Sequence, residues 1–124
     1  MKFRLAVAVG LALFAARSSD AQDIAAALAR VPEKARAKPN PLETAPAAPQ
    51  AGKKLFERHC AECHGSSAEG SRHAPALRDP QIREAAAGEL FWILTNGVIG
   101  RGMPAWSKLP EPQRWQIISY LQSF

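Results

Sequence analysis

The clearest periodicity in this chain lies near its C-terminus. Trp115, Ile118 and Leu121 recur at a three-residue step and Ile117 widens the row, the apolar stripe of an amphipathic helix. Pro110 and Pro112 suit the first turn of that helix, where a missing N–H costs nothing. A middle helical region opens at Asp79-Pro80, an N-cap followed by proline at the first helical position. It is expected to break around Gly88, to resume through Leu90, Ile93 and Leu94, and to stop at Asn96-Gly97. A first helix runs from Gly52 to about Glu62 with Leu55 and Phe56 inward, and a polar loop from Gly65 to Arg72 follows it. No pair of alternating strands flanks a hairpin turn. The pattern predicts an all-α domain of three main helices over residues 51–124.

Upstream the pattern changes twice. Lys2 and Arg4 precede an apolar stretch from Leu5 to Ala16, and Ser19-Asp20-Ala21 is a small-x-small cleavage site, so residues 1–21 read as a secretory signal peptide. The apolar stretch is short for a bilayer span, and an uncleaved anchor is the alternative. No cysteine follows it to take a lipid. Residues 23–31 are Ala-rich and suit two turns of helix. From Pro32 to Pro49 five of the chain's 10 prolines occur with few large apolar residues. Residues 22–50 are therefore expected to form a semi-rigid, partly extended arm or linker, with a disordered leader and a tether to a partner subunit as the other readings.

Charge adds an exclusion. The formal net charge is +5 over 124 residues, and removing the signal takes more cations than acids with it. The remainder is mildly basic, without the dense basic run and interleaved aromatics of a nucleic-acid binder. A modest positive patch favours acidic protein partners.

The candidate chemistry sits at Cys60-Ala61-Glu62-Cys63-His64. Two thiols three positions apart on one helical turn point the same way and can add to the two vinyl groups of one porphyrin, and the histidine that follows can bind its iron; C-x-x-C-H is the attachment signature of a c-type haem. Three other readings compete. A thioredoxin-like redox pair needs a βαβ setting. Structural zinc wants four ligands, and only His59 and His73 remain. A disulfide across so short a loop removes little chain entropy. One haem c, attached through Cys60 and Cys63, is the expectation, and its attachment outside the cytoplasm agrees with export to the periplasm.

A haem of this kind needs a second axial ligand. Met103 is the methionine that survives signal removal, and it lies in Gly100-Arg101-Gly102-Met103-Pro104. The glycines allow close backbone approach and Pro104 holds Met103 toward an extended conformation. His59 and His73 are the rivals. The other ring nitrogen of His64 needs an acceptor, and the carbonyl of Pro75 is placed to serve, with Leu77 to cover the ring. The metal ligands are thus expected to be His64 and Met103, and the domain is small enough for the haem to supply its centre. Without it the domain is expected to be unfolded or molten.

Together these residues resemble the small class I cytochromes c of bacteria, monohaem and His/Met-ligated, over roughly Ala51 to Phe124. Gly52 and Phe56 match the glycine and aromatic of that family's first helix, Ile117 and Tyr120 the aliphatic and aromatic of its last, Pro75 and Leu77 its Pro-x-Leu segment, and Met103-Pro104 its axial methionine. The resemblance implies three helices wrapped around one haem, and an electron carrier rather than an enzyme. Its partners would be redox proteins: a dehydrogenase as donor, an oxidase or another cytochrome as acceptor. It implies no nucleic acid, no stable membrane insertion after signal cleavage, and a monomer or a complex subunit. The loop between Leu77 and Met103 departs from mitochondrial cytochrome c, and Trp92 and Trp106 are both candidates for binding a propionate. The segments around Trp106 and Trp115 look like haem domains associated with quinoprotein dehydrogenases, which makes a haem-carrying dehydrogenase subunit the alternative; a peroxidase or gas sensor would need an open iron site. Lys53, Lys54, Arg101 and Lys108 are candidates to ring the exposed haem edge.

Overall fold

A computed structural model describes residues 19–124. Seven helices run along them: α1 (Ser19–Ala29), α2 (Glu33–Arg36), α3 (Ala48–His59), α4 (Ala61–His64), α5 (Pro80–Glu84), α6 (Ala87–Asn96) and α7 (Glu111–Leu121), with a 3-10 turn at Ile99–Arg101. Among the described residues there is no strand, only one antiparallel bridge between Val98 and Met103. The all-α expectation holds. The charged start and apolar stretch of the signal lie outside the described residues. No described helix is long and apolar enough to cross a membrane.

The centre of the molecule is the crossing of α3 and α7. A Cβ at Gly52 would lie 1.8 Å from the carbonyl oxygen of Gln116, so only glycine lets the two backbones approach this closely. One turn on, the rings of Phe56 and Tyr120 stand 5.4 Å apart, and Phe56, Trp115, Ile117 and Ile118 are fully buried. The stripe read on α7 is therefore the core face, with Trp115 stacked 3.9 Å from Phe91 of α6. Pro110 and Pro112 open the helix as expected.

The middle region follows its sequence signals at both ends. Asp79 accepts from the backbone N–H of Gln81 and Pro80 begins α5, while α6 stops at Asn96. The break, however, falls at Ala85 and Ala86, both extended, rather than at Gly88. Glu89 accepts from the N–H of Ala86 at 3.0 Å and caps the second piece. Gly88 lies inside α6 because a Cβ there would sit 2.1 Å from the carbonyl oxygen of Ala35. It is a contact site for the N-terminal segment, not a breaker.

That segment is the largest departure from expectation. Residues 22–50 do not extend away as a linker or leader but lie folded on the domain. Ile24 and Val31 are each 4% exposed, and Leu28 and Leu42 pack against the same core. Polar contacts then fasten the segment: Arg36 to Glu89 at 3.4 Å, Lys38 to Glu111 at 3.2 Å, and the Asn40 amide donating to the Ser119 hydroxyl at 2.9 Å. Apolar residues are sparse here, but each large one is used. The boundary expected between 50 and 51 falls inside α3, and the expected cleavage position after Ala21 lies in the first turn of α1.

Candidate cofactor site

α3 ends at His59, Cys60 leaves the helix, and α4 makes one further turn that carries Cys63 and His64. The N–H groups of Cys63 and His64 both donate to the carbonyl of Cys60, at 3.2 and 3.0 Å, so the two thiols and the imidazole are fixed on a single turn. Both cysteines are free thiols. Burial, and then the neighbouring Cys63, push the Cys60 thiol up to about 11. A reactive dithiol has the opposite property, a lowered pKa that makes the thiolate available. The βαβ frame of a thioredoxin-like pair is also missing among the described residues. Nor do any three described His, Cys, Asp or Glu side chains gather as a metal cluster, so a zinc reading finds no further ligands.

His64 Nδ1 lies 3.0 Å from the carbonyl oxygen of Pro75. That contact fixes the ring and leaves Nε2 as the nitrogen for a metal. Burial holds the imidazole below its ordinary pKa and outweighs the upward pull of the Pro75 carbonyl, which favours the neutral, ligating form. The loop that delivers Pro75 is closely stitched: the N–H of Gly70 donates to His64 at 2.7 Å, that of Leu77 to Ala68 at 2.9 Å, and that of Ser71 to Ala74 at 2.9 Å.

Met103 stands on a different kind of loop. Its N–H donates to Val98 at 3.2 Å and its carbonyl accepts from Val98 at 3.0 Å, which closes a six-residue turn at its base. Between those strand-like ends Gly100 and Gly102 have no neighbour within 4 Å of a built Cβ, and Ile99 is 69% exposed. Met103 itself packs against the core.

Cys60, Cys63, His64, Pro75, Leu77 and Met103 all line one cavity of about 630 Å³. The volume is within the roughly 300–1,000 Å³ of ordinary ligand sites. Phe56, Leu90, Leu94, Ile117 and Ile118 supply an apolar wall. Two thiols, a half-buried imidazole held toward its neutral form and a thioether around a mostly apolar slot are the donor set that a covalently held haem needs. Trp106 borders the cavity and Trp92 does not; His59, whose ring lies 5.3 Å from that of Trp106, and His73 border it as well. Of the four proposed edge cations only Arg101 lines the cavity; Lys108 lies 5.7 Å from the Trp106 ring.

The sequence reading missed the contribution of α1. Asp20, Asp23, Ile24, Ala27 and Leu28 line the same cavity. Their spacing at three and four residues was a helical face, but one short of large side chains among alanines and upstream of the prolines.

Residues 47–121 match the family described as cytochrome c oxidase, cbb3-type, subunit III. The chain belongs to this family. It is a monohaem class I cytochrome c domain, of a kind that typically transfers electrons rather than catalyses a reaction. A crystal structure of cytochrome cL from the marine methylotrophic bacterium Methylophaga aminisulfidivorans MPT is similar in fold, with a TM-score of 0.60 at 20% identity over 92% of this chain and 71% of that one. The match extends over most of the described cytochrome c domain, including much of the segment before α3. Cys60 and Cys63 have the spacing of haem attachment in such a domain.

Proposed function

We propose that this cytochrome c domain would hold one haem through thioether bonds from Cys60 and Cys63, with His64 and Met103 as the residues that would bind its iron, and serves as a one-electron carrier between redox proteins outside the cytoplasm. One observation carries the reading: six residues drawn from three separate stretches of sequence surround a single apolar cavity. The haem supplies the one-electron couple of its iron. The protein's own residues do the rest. The Pro75 carbonyl orients His64 and sustains its basicity. Met103 raises the reduction potential relative to a second imidazole. The apolar wall of Phe56, Leu90 and Ile118 excludes water from the ring and holds the site rigid, so little reorganises when the charge changes. An export signal over residues 1–21 agrees with haem attachment outside the cytoplasm; the mass of the purified protein tests where it is cut.

The test is the visible spectrum of the purified protein, oxidised and reduced, beside that of Met103→Ala. A low-spin spectrum with the weak long-wavelength absorption of methionine-ligated ferric haem, lost in the variant, supports the carrier. A high-spin spectrum that binds carbon monoxide overturns it in favour of a catalytic or gas-binding haem. The family's description names an oxidase subunit, which favours a second reading, a domain docked stably in a larger complex. Co-purification of a partner at high salt separates the two, since an electrostatic encounter dissolves there and an apolar interface survives.

A further inference from the structure

The loop that carries Met103 is held mainly by bonds within itself. Its base is closed by the two Val98–Met103 hydrogen bonds and its turn by the N–H of Arg101 to Val98 at 2.9 Å and that of Gly102 to Ile99 at 3.1 Å, while a Cβ at Gly100 or Gly102 would meet no other atom within 4 Å. From that turn one ion pair reaches another element of the described structure: Arg101 Nη2 lies 3.1 Å from Asp23 Oδ1. Asp23 belongs to α1, and α1 is not loose. Ile24, the next residue, is 4% exposed, and Gln81 of α5 donates to the carbonyl of Ala21 at 3.0 Å. One turn back, the Asp20 carboxylate accepts from the N–H of Ala76, the neighbour of the Pro75 that orients His64, at 3.1 Å. α1 therefore touches the supports of both ligands, and Asp20, Asp23, Ile24, Pro75 and Arg101 also line the cavity. Asp23 and the buried Ile24 lie beyond the cleavage position expected after Ala21, so the pair with Arg101 and the apolar anchor of α1 are retained in a chain cut there, while the contacts of Asp20 and Ala21 are lost.

We propose that Asp23 and Arg101 are positioning residues for Met103: their ion pair fastens the methionine loop to α1 and keeps the thioether over the haem iron. The proposal rests on the ligation given under Proposed function. With the pair intact, the loop's open state, in which the methionine has left and a small ligand can enter, is disfavoured. Because the Arg101 side chain is 70% exposed and that of Asp23 36%, the effect is that of a surface pair, about two- to fivefold in the open population.

The experiment uses the haem-loaded full protein in four forms: unaltered, Asp23→Asn, Arg101→Gln and the double variant. Imidazole is titrated into each in the ferric state, and displacement of the methionine is followed by loss of its long-wavelength band. Each single variant is expected to bind imidazole about two- to fivefold more tightly than the unaltered protein, and the double variant no more tightly than either, because the pair can be lost only once. Added salt is expected to move the unaltered protein toward the variants and to leave the double variant in place. Single-variant affinities equal to the unaltered protein's, or effects that add in the double, overturn the proposal while the methionine reading stands. Absence of the methionine band from the unaltered protein overturns both.

Discussion

The two loops that bring Pro75 and Met103 to the cavity are built differently. The loop after α4, from Gly65 to Leu77, is tied by backbone hydrogen bonds at Gly70, Ser71 and Leu77, and the Arg78 guanidinium adds a bond to the carbonyl of Ser67 at 2.6 Å. It places a backbone carbonyl against an imidazole, and backbone atoms are placed well only by a well-determined backbone. The loop from Val98 to Met103 has its backbone hydrogen bonds within itself, and its tip reaches α1 through the exposed Arg101–Asp23 pair. It has only to present one flexible thioether, which can find its target from a range of loop positions. The contrast teaches that the two proposed iron ligands should differ in lability: the histidine side shares its fate with the whole fold, and the methionine side opens more readily on its own.

The largest test removes what both loops face. Replacing Cys60 and Cys63 by alanine abolishes covalent attachment and leaves the cavity of about 630 Å³ to be filled by water or collapse. The cavity is lined largely by apolar side chains, and a domain this small buries too little surface without the haem to offset the entropy of folding. Circular dichroism of the double variant should show loss of cooperative melting and much of the helical signal; a native-like, cooperative transition would falsify the idea that the haem is the core.

The next test acts on the stitched loop alone. Gly70 has φ +86°, and a Cβ there would lie 2.7 Å from the N of Ala76 and 3.1 Å from the carbonyl carbon of Pro75. Gly70→Ala combines left-handed strain with a clash against backbone that cannot move without shifting the partner of His64. A loss of about 2–4 kcal/mol is expected, read as a lower denaturant midpoint of the haem-loaded protein. A midpoint within error of the unaltered protein would mean that the loop is softer than its hydrogen bonds indicate.

The same contrast explains what was legible in the sequence. The caps at Asp79 and Asn96-Gly97 and the stripe on α7 are local signals with one physical meaning each, and the structure has them where the sequence placed them; Gly52, matched through the family resemblance, lies at the α3–α7 crossing. The Pro75 carbonyl lies against His64 although eleven residues separate them, because a Pro-x-Leu segment after a short polar loop has few places to go. Two features were hidden. Gly88 carried the signal of a breaker, but its role is set by the carbonyl of Ala35, a contact across fifty residues that no local pattern reveals. The proline-rich segment had the composition of a free arm, yet burial is decided residue by residue: Ile24, Leu28 and Leu42 join the core, Val31 is buried, and Arg36, Lys38 and Asn40 add polar contacts. The wall that α1 gives to the cavity follows from that docking, so it was illegible for the same reason.

The smallest effects belong to the methionine loop, and they separate backbone strain from packing. Gly102 has φ +88° and no neighbour within 4 Å of a built Cβ, whereas Gly100 has neither a positive φ nor a neighbour. Gly102→Ala therefore meets strain without a clash, worth about 1 kcal/mol. Because the loop can relax without unfolding the domain, that cost is expected in the local opening equilibrium, as an about fivefold gain in imidazole affinity, with little change in the denaturant midpoint. Gly100→Ala is the control and should change both quantities by less than about 0.5 kcal/mol. If Gly102→Ala lowers the global midpoint as much as Gly70→Ala does, the methionine loop is part of the cooperative unit, and the difference in lability between the two ligands disappears.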